Sequence, residues 1–182
     1  MSMRFAARTK TYRYRLLLAS VASPFEARYA WHVTHALDRS AMREALEACR
    51  GRHDFAAFQS TGTDVKDTVR SITDVRFLTV DAGPRANPGA SAPAFWGEER
   101  ADARPGTSSP DATLVVVELT GDGFLRHMVR AIVGTLVEVG RGRWPAAEMA
   151  DIINARDRAR AGPTAPAHGL FLVHVNYGPG RE

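Results

Sequence analysis

The feature that most constrains this 182-residue chain is the stretch 123–140, Gly-Phe-Leu-Arg-His-Met-Val-Arg-Ala-Ile-Val-Gly-Thr-Leu-Val-Glu-Val-Gly. Its apolar residues Leu125, Met128, Val129, Ile132, Val133, Leu136 and Val137 recur at steps of three and four. That spacing predicts a helix with one buried face, stopped by Gly140. Gly121-Asp122-Gly123 forms a turn leading into it from residues 113–120, an alternating run that predicts a strand. The start of the helix is unlike a purely structural one. Arg126, His127 and Arg130 crowd there, with Arg126 and Arg130 on one face at i, i+4 spacing. Cations at a helix N-terminus oppose the macrodipole at a cost of about 0.3–1 kcal/mol each. The pattern fits a site for an anion, held by dipole and guanidinium together. It fits equally two solvated arginines on an open face.

The chain offers this helix other elements to pack on. Residues 10–18 alternate Tyr12 and Tyr14 with Arg13 and Arg15, the period of a strand with an aromatic face and a basic face. After a loop around Ser23-Pro24-Phe25, Asp38 is placed to cap a helix carrying Met42, Ala45, Leu46 and Cys49 on one face, ended by Gly51. Cys49 there reads as a small core residue, against the alternative of a reactive thiol. His53 to Phe58 form an aromatic turn, and Thr68 to Val80, rich in β-branched residues, predict a second strand. From Asp81 to Asp111 the composition shifts to Ala, Pro, Gly, Ser and Arg, which predicts a long, mobile surface loop, with Phe95-Trp96 as a local pin. Pro145 is expected at or near the first position of a further helix with Met149, Ile152 and Ile153 inward. The run Arg156 to Arg160 is expected to close it with cations suited to the dipole. A rigid loop 162–169 then precedes a last strand, 170–177. This order predicts an α+β fold in which helices cover an antiparallel-rich sheet.

Composition excludes several classes. Hydrophobic residues make up 45% and charged residues 24%, as in an ordinary globular domain, and the length suits one core. No apolar run approaches the roughly 20 residues of a membrane span, and the N-terminus lacks a signal-peptide core. A single cysteine excludes an internal disulfide framework. These features predict a soluble, cytoplasmic domain. The net charge of +4 and a sequence pI of about 9.7 permit a polyanionic partner. His32 and His35 have no companion cluster, so no metal site is expected. No phosphate-cradling glycine loop or nucleophile elbow is present. Arginines interleaved with tyrosines suit single-stranded RNA, the guanidinium groups taking phosphates and a ring taking an unstacked base at roughly 1–3 kcal/mol. By pattern alone, the same tyrosines could be strand residues packed under a helix.

Four motifs in order sharpen this. Lys10-Thr-Tyr-Arg-Tyr14, Gly51-Arg-His-Asp-Phe-Ala-Ala-Phe58, residues 123–134 and Gly162-Pro-Thr-Ala-Pro-Ala-His-Gly-Leu170 closely resemble the C-terminal half of the TruA family of tRNA pseudouridine synthases. The resemblance runs from about Arg4 to Tyr177, apart from 81–111. It implies a pseudouridine synthase-like α+β fold, a mixed, antiparallel-rich sheet with helices packed on one face. It also implies isomerisation of uridines 38–40 in the tRNA anticodon arm, no cofactor, and a homodimer. In that family an aspartate attacks the ribose C1′ or assists glycal formation, and the uracil detaches, turns and rejoins through C5. The target must first leave its stack and enter a pocket. By the resemblance, Tyr12 stacks on the uracil and takes part in removing the C5 proton, and Arg130 pairs with the aspartate and keeps it ionised. Leu170 and its neighbours wall the base, while Arg13, Arg126 and His127 contact RNA.

The aspartate of the family belongs to an Arg-Thr-Asp-Ala-Gly motif in its N-terminal half, and that motif does not occur in these residues. Asp64, in Gly-Thr-Asp-Val, echoes it without the arginine. The expectation is therefore that residues 1–182 form a single C-terminal domain, inactive alone, whose nucleophile comes from an N-terminal half absent from this chain. Apolar surface that the other half covers should then be exposed. The competing expectation is a noncatalytic RNA-binding or interaction module derived from the family by truncation.

Overall fold

A computed structural model describes residues 7–21, 24, 26–60, 62, 65–81 and 112–177. The expected loop beyond Asp81 and the candidate Asp64 lie outside the described residues. Six strands appear among them: β1 (Thr9–Leu18), β2 (Trp31–Val33), β3 (Gly51–Asp54), β4 (Val69–Asp81), β5 (Thr113–Gly121) and β6 (Leu170–Asn176). The helices are α1 (Arg39–Glu47), α2 (Met128–Gly140) and α3 (Glu148–Ala155). They build the expected α+β architecture, one mixed sheet in the order β2-β1-β5-β4-β3. Only the β1–β2 pair is parallel among the pairings described. β6 joins β1 on the side that β2 uses, pairing with Thr9–Tyr14 while β2 pairs with Leu16–Leu18.

The alternation of β1 sorts its side chains onto two faces. Tyr14 and Leu16 point into the main core with Val115, Val117 and Leu119 of β5 and the apolar faces of all three helices. Leu17 points the other way, into a smaller cluster with Leu114, Val116 and Ala30 that contains no helix residue. The helices thus lie on one face. Met42, Ala45, Leu46 and Cys49 are buried as their spacing predicts. Burial and the neighbouring Glu47 carboxylate push the Cys49 thiol up to about 12, which keeps it a neutral core group.

Several boundaries differ from the sequence expectation. α2 ends at Gly140 as expected, but Gly140 is itself helical and its bare Cα serves packing: a Cβ there would lie 2.7 Å from Met42 Sδ and 3.2 Å from Leu37 Cβ. The reversal falls at Gly142, with φ +73°. Pro145 precedes α3 by a full turn, because the turn Pro145–Glu148 is closed by an i→i+3 bond before regular helix begins. The basic run 156–160 lies beyond α3 rather than in its last turn. Arg156 takes a left-handed conformation and pairs with Asp54 at 3.3 Å. Arg158 donates to the carbonyls of Ala161 and Gly162, folding the next loop. The short strands β2 and β3 were not anticipated.

Asp38 joins local and tertiary structure. Its Oδ1 accepts from the backbone N–H of Ser40 and Ala41 at 2.9 and 3.0 Å, and its own N–H donates to Gly140 O at 2.7 Å. Asp38→Ala removes the cap and leaves the backbone bond, so urea unfolding should show a loss of about 1 kcal/mol.

Candidate active site

The loop 162–169 is seated between α2 and β1, and the site is built around it. On the α2 side the fit depends on two glycines. A Cβ at Gly134 would lie 1.6 Å from Pro163 O, and one at Gly162 would lie 2.8 Å from the Thr135 backbone. Thr135 Oγ1 accepts from Gly162 N at 2.9 Å while donating to Ala131 O at 2.9 Å. One turn earlier, Arg130 grips the loop twice. Its carbonyl accepts from Ala165 N at 3.1 Å, and its Nε donates to Ala165 O at 2.6 Å. Among the described residues no carboxylate pairs with the Arg130 guanidinium.

On the β1 side, Tyr14 is fully buried and its hydroxyl donates to Pro166 O at 2.6 Å. Burial raises the phenol above its ordinary value, opposed in part by the nearby Arg130 cation. Tyr12, two residues earlier and on the same face, is half-buried and set edge-on against Phe124, with centroids 4.9 Å apart and planes at 74°. In the β1–β6 ladder Leu170 stands opposite Tyr14 and Leu172 opposite Tyr12. Leu172 is 51% exposed, so an apolar side chain faces solvent beside the Tyr12 ring.

The start of α2 differs from expectation. His127 takes a left-handed conformation, φ 62°, and a left-handed residue cannot continue a right-handed helix. Arg126 and His127 therefore sit in the turn before α2, and Arg126 does not share a helical face with Arg130. The Arg126 carbonyl accepts from Ser60 N at 3.2 Å, which ties this turn to the aromatic segment 55–58. Partial burial, then the Arg130 and Arg126 cations, lower the His127 pKa from its ordinary value. Arg13 lies on the sheet face away from Tyr12 and pairs with Glu118 at 2.6 Å.

Two neighbours were missed from sequence. Phe124 stood in the motif as an anonymous apolar residue. Arg70 was read only as part of a strand. Its Cδ lies 3.2 Å from where a Cβ on Gly123 would stand, which adds a cation to the turn before α2. In sequence Arg70 is one of two arginines within the strand-like run 68–80, with nothing to set it apart.

The arrangement is an edge-packed tyrosine, an anchored guanidinium and an apolar wall, bordered by Arg126, His127 and Arg70. None of these described side chains is a carboxylate. A family model described as tRNA pseudouridine synthase matches residues 45–178, and the chain belongs to that family. Its relatives include the tRNA pseudouridine synthase A of Syntrophotalea carbinolica, 38% identical over 97% of this chain and 58% of the relative. That of Acetivibrio thermocellus is 40% identical over 96% and 59%, and that of Nitratidesulfovibrio vulgaris 44% identical over 96% and 62%. The chain spans about three fifths of the length of these relatives.

Two outcomes follow from the geometry. Gly134→Ala drives a methyl group into a backbone carbonyl and should cost roughly 1–3 kcal/mol, read as a lower urea midpoint at unchanged m. For His127 the folded pKa lies below the unfolded 6.5. The unfolded chain thus binds the proton more readily, and stability falls as pH drops below the unfolded value. His127→Asn suits the left-handed backbone and removes this titration, so its Tm should fall less than that of the wild type between about pH 7.5 and about pH 5.5.

Proposed function

We propose that this chain supplies the base-receiving half of a tRNA pseudouridine synthase acting on uridines 38–40 of the anticodon arm. The observation that carries this reading is Arg130: a guanidinium fixed through Nε to the Ala165 carbonyl, without a carboxylate partner among the described residues. In this reading its remaining N–H groups receive the catalytic aspartate from chain outside these 182 residues, hold it ionised and aim it at C1′. The exposed Leu172, Val173 and Tyr177 of the β6 region support further chain packing there.

The target uridine leaves its stack and lies against the Tyr12 ring, whose position is set by Phe124, with Leu170 and Leu172 as the apolar wall. The C1′–N1 bond breaks with the aspartate as nucleophile or base, the uracil turns, and a C1′–C5 bond forms. The C5 proton departs with Tyr12 assisting, and N1 gains a proton. Arg126, His127 and Arg70 lie where the phosphates flanking a flipped nucleotide can be met. Arg13, paired with Glu118, stays outside the pocket and serves the β1–β5 seam. No cofactor enters this chemistry, and the homodimeric state of the assembled enzyme rests on the family resemblance.

The test is tritium release from tRNA labelled at uridine C5. The folded chain alone should release none, and adding a segment that bears the Arg-Thr-Asp-Ala-Gly motif should restore release. Within that assembly, Arg130→Lys replaces a planar fork by a point charge and should lower the rate by at least roughly 100-fold. Tyr12→Phe, which removes a group acting on a proton, should lower it by roughly 100- to 10,000-fold. Release by the chain alone would place the nucleophile within it, with Asp64 the first residue to replace. No release from the assembly, with tRNA still bound, would make the chain a binding module.

A further inference from the structure

Tyr14 has no part in the chemistry above, yet it is fully buried beside the site with its hydroxyl hydrogen-bonded. A Cβ on Gly169 would come within 2.8 Å of its Cζ, so the 3-10 turn Ala167–Gly169 is shaped to this ring. The hydroxyl donates to Pro166 O at 2.6 Å, and Arg130 Nε donates to Ala165 O at 2.6 Å. These acceptors are consecutive carbonyls of one loop. Strand β1 and helix α2 therefore hold adjacent peptides of the same short loop.

We propose that Tyr14 is a positioning residue: its buried hydroxyl, through Pro166 O, fixes the Ala165–Pro166 backbone and so sets the orientation of the Arg130 guanidinium. This rests on the role given to Arg130 above. A misplaced guanidinium still carries its charge and still permits RNA to bind, but it aims the aspartate badly. The signature is a fall in turnover without a change in tRNA binding, which distinguishes positioning from a general loss of fold.

Tyr14→Phe keeps the ring and deletes the donor. In the assembled enzyme, well below its Tm, kcat should fall roughly 10- to 100-fold while KM and the Kd for tRNA stay within twofold. On this chain alone, the Arg130 Nε–H signal in a ¹H–¹⁵N spectrum, assigned by its loss in Arg130→Lys, should be protected from exchange in the wild type and exchange rapidly in Tyr14→Phe. If Tyr14→Phe keeps full kcat and a protected Nε–H while Arg130→Lys is inactive, the positioning role is wrong and the reading of Arg130 stands. If Arg130→Lys is fully active, the reading of Arg130 fails, and the exchange measurement still decides whether Tyr14 holds that side chain. Should Tyr14→Phe not fold, the wild type decides. A common opening rate for the Tyr14 hydroxyl, the Arg130 Nε–H and the Ala165 N–H supports the proposal, and independent rates overturn it.

Discussion

The site depends on a close approach of two backbones. The loop 162–169 lies against α2 at a distance that only glycine allows, with Pro163 O where a side chain on Gly134 would begin. That contact brings Ala165 within reach of both the carbonyl and the guanidinium of Arg130. It also lets the next carbonyl, Pro166, meet Tyr14. The helix face that looks in sequence like plain apolar packing thus includes a second, polar seam. Gly134, Thr135 and Arg130 line it, and the main-chain groups of the loop find their partners there instead of in water.

The electrostatics at the start of α2 follow from the same construction. Arg126 and His127 stand outside the helix because His127 turns left-handed, so the macrodipole opposes fewer cations than an unbroken helix from Gly123 would carry. Arg130 lies inside the helix but spends its Nε on Ala165 O. The positive charge is therefore held in place by tertiary contacts as well as by the helix.

Much of the fold was legible from the chain. The period-two run at β1, the period of α1 and α2, and the Asp38 cap each express a local rule that the tertiary structure leaves intact. What could not be read locally was decided by distant partners. α2 does end at Gly140, but the left-handed reversal waits for Gly142, and Gly140 is bare because α1 passes there. Arg156 to Arg160 read as the last turn of a helix, but they lie just past it, where Asp54 pairs with Arg156 and the carbonyls of the following loop accept from Arg158. The three-residue β2 is too short to show a period and exists because β1 offers Leu16–Leu18 an edge. Tyr12 and Arg130 stand out by pattern, an aromatic among arginines and a cation early in a helix, but their particular roles come only from the family motifs. Phe124, Arg70 and Leu172 enter the site through turn geometry and cross-strand register, which no spacing rule reports.

The two residues joined by the Tyr14–Pro166 hydrogen bond stand 152 positions apart, and β1 finds β6 across a comparable span. Contacts of such sequence separation close slowly, and on a ribosome they cannot close until nearly all of this chain has been made. Helices α1 and α2 can form and pair earlier, but Arg130 has no perch and the Tyr14 ring has no lid until the loop 162–169 emerges. The site built around that loop is thus among the last parts of the domain to come into being. A nascent chain cut short before that loop carries the arginine and both tyrosines without the geometry that makes them a site.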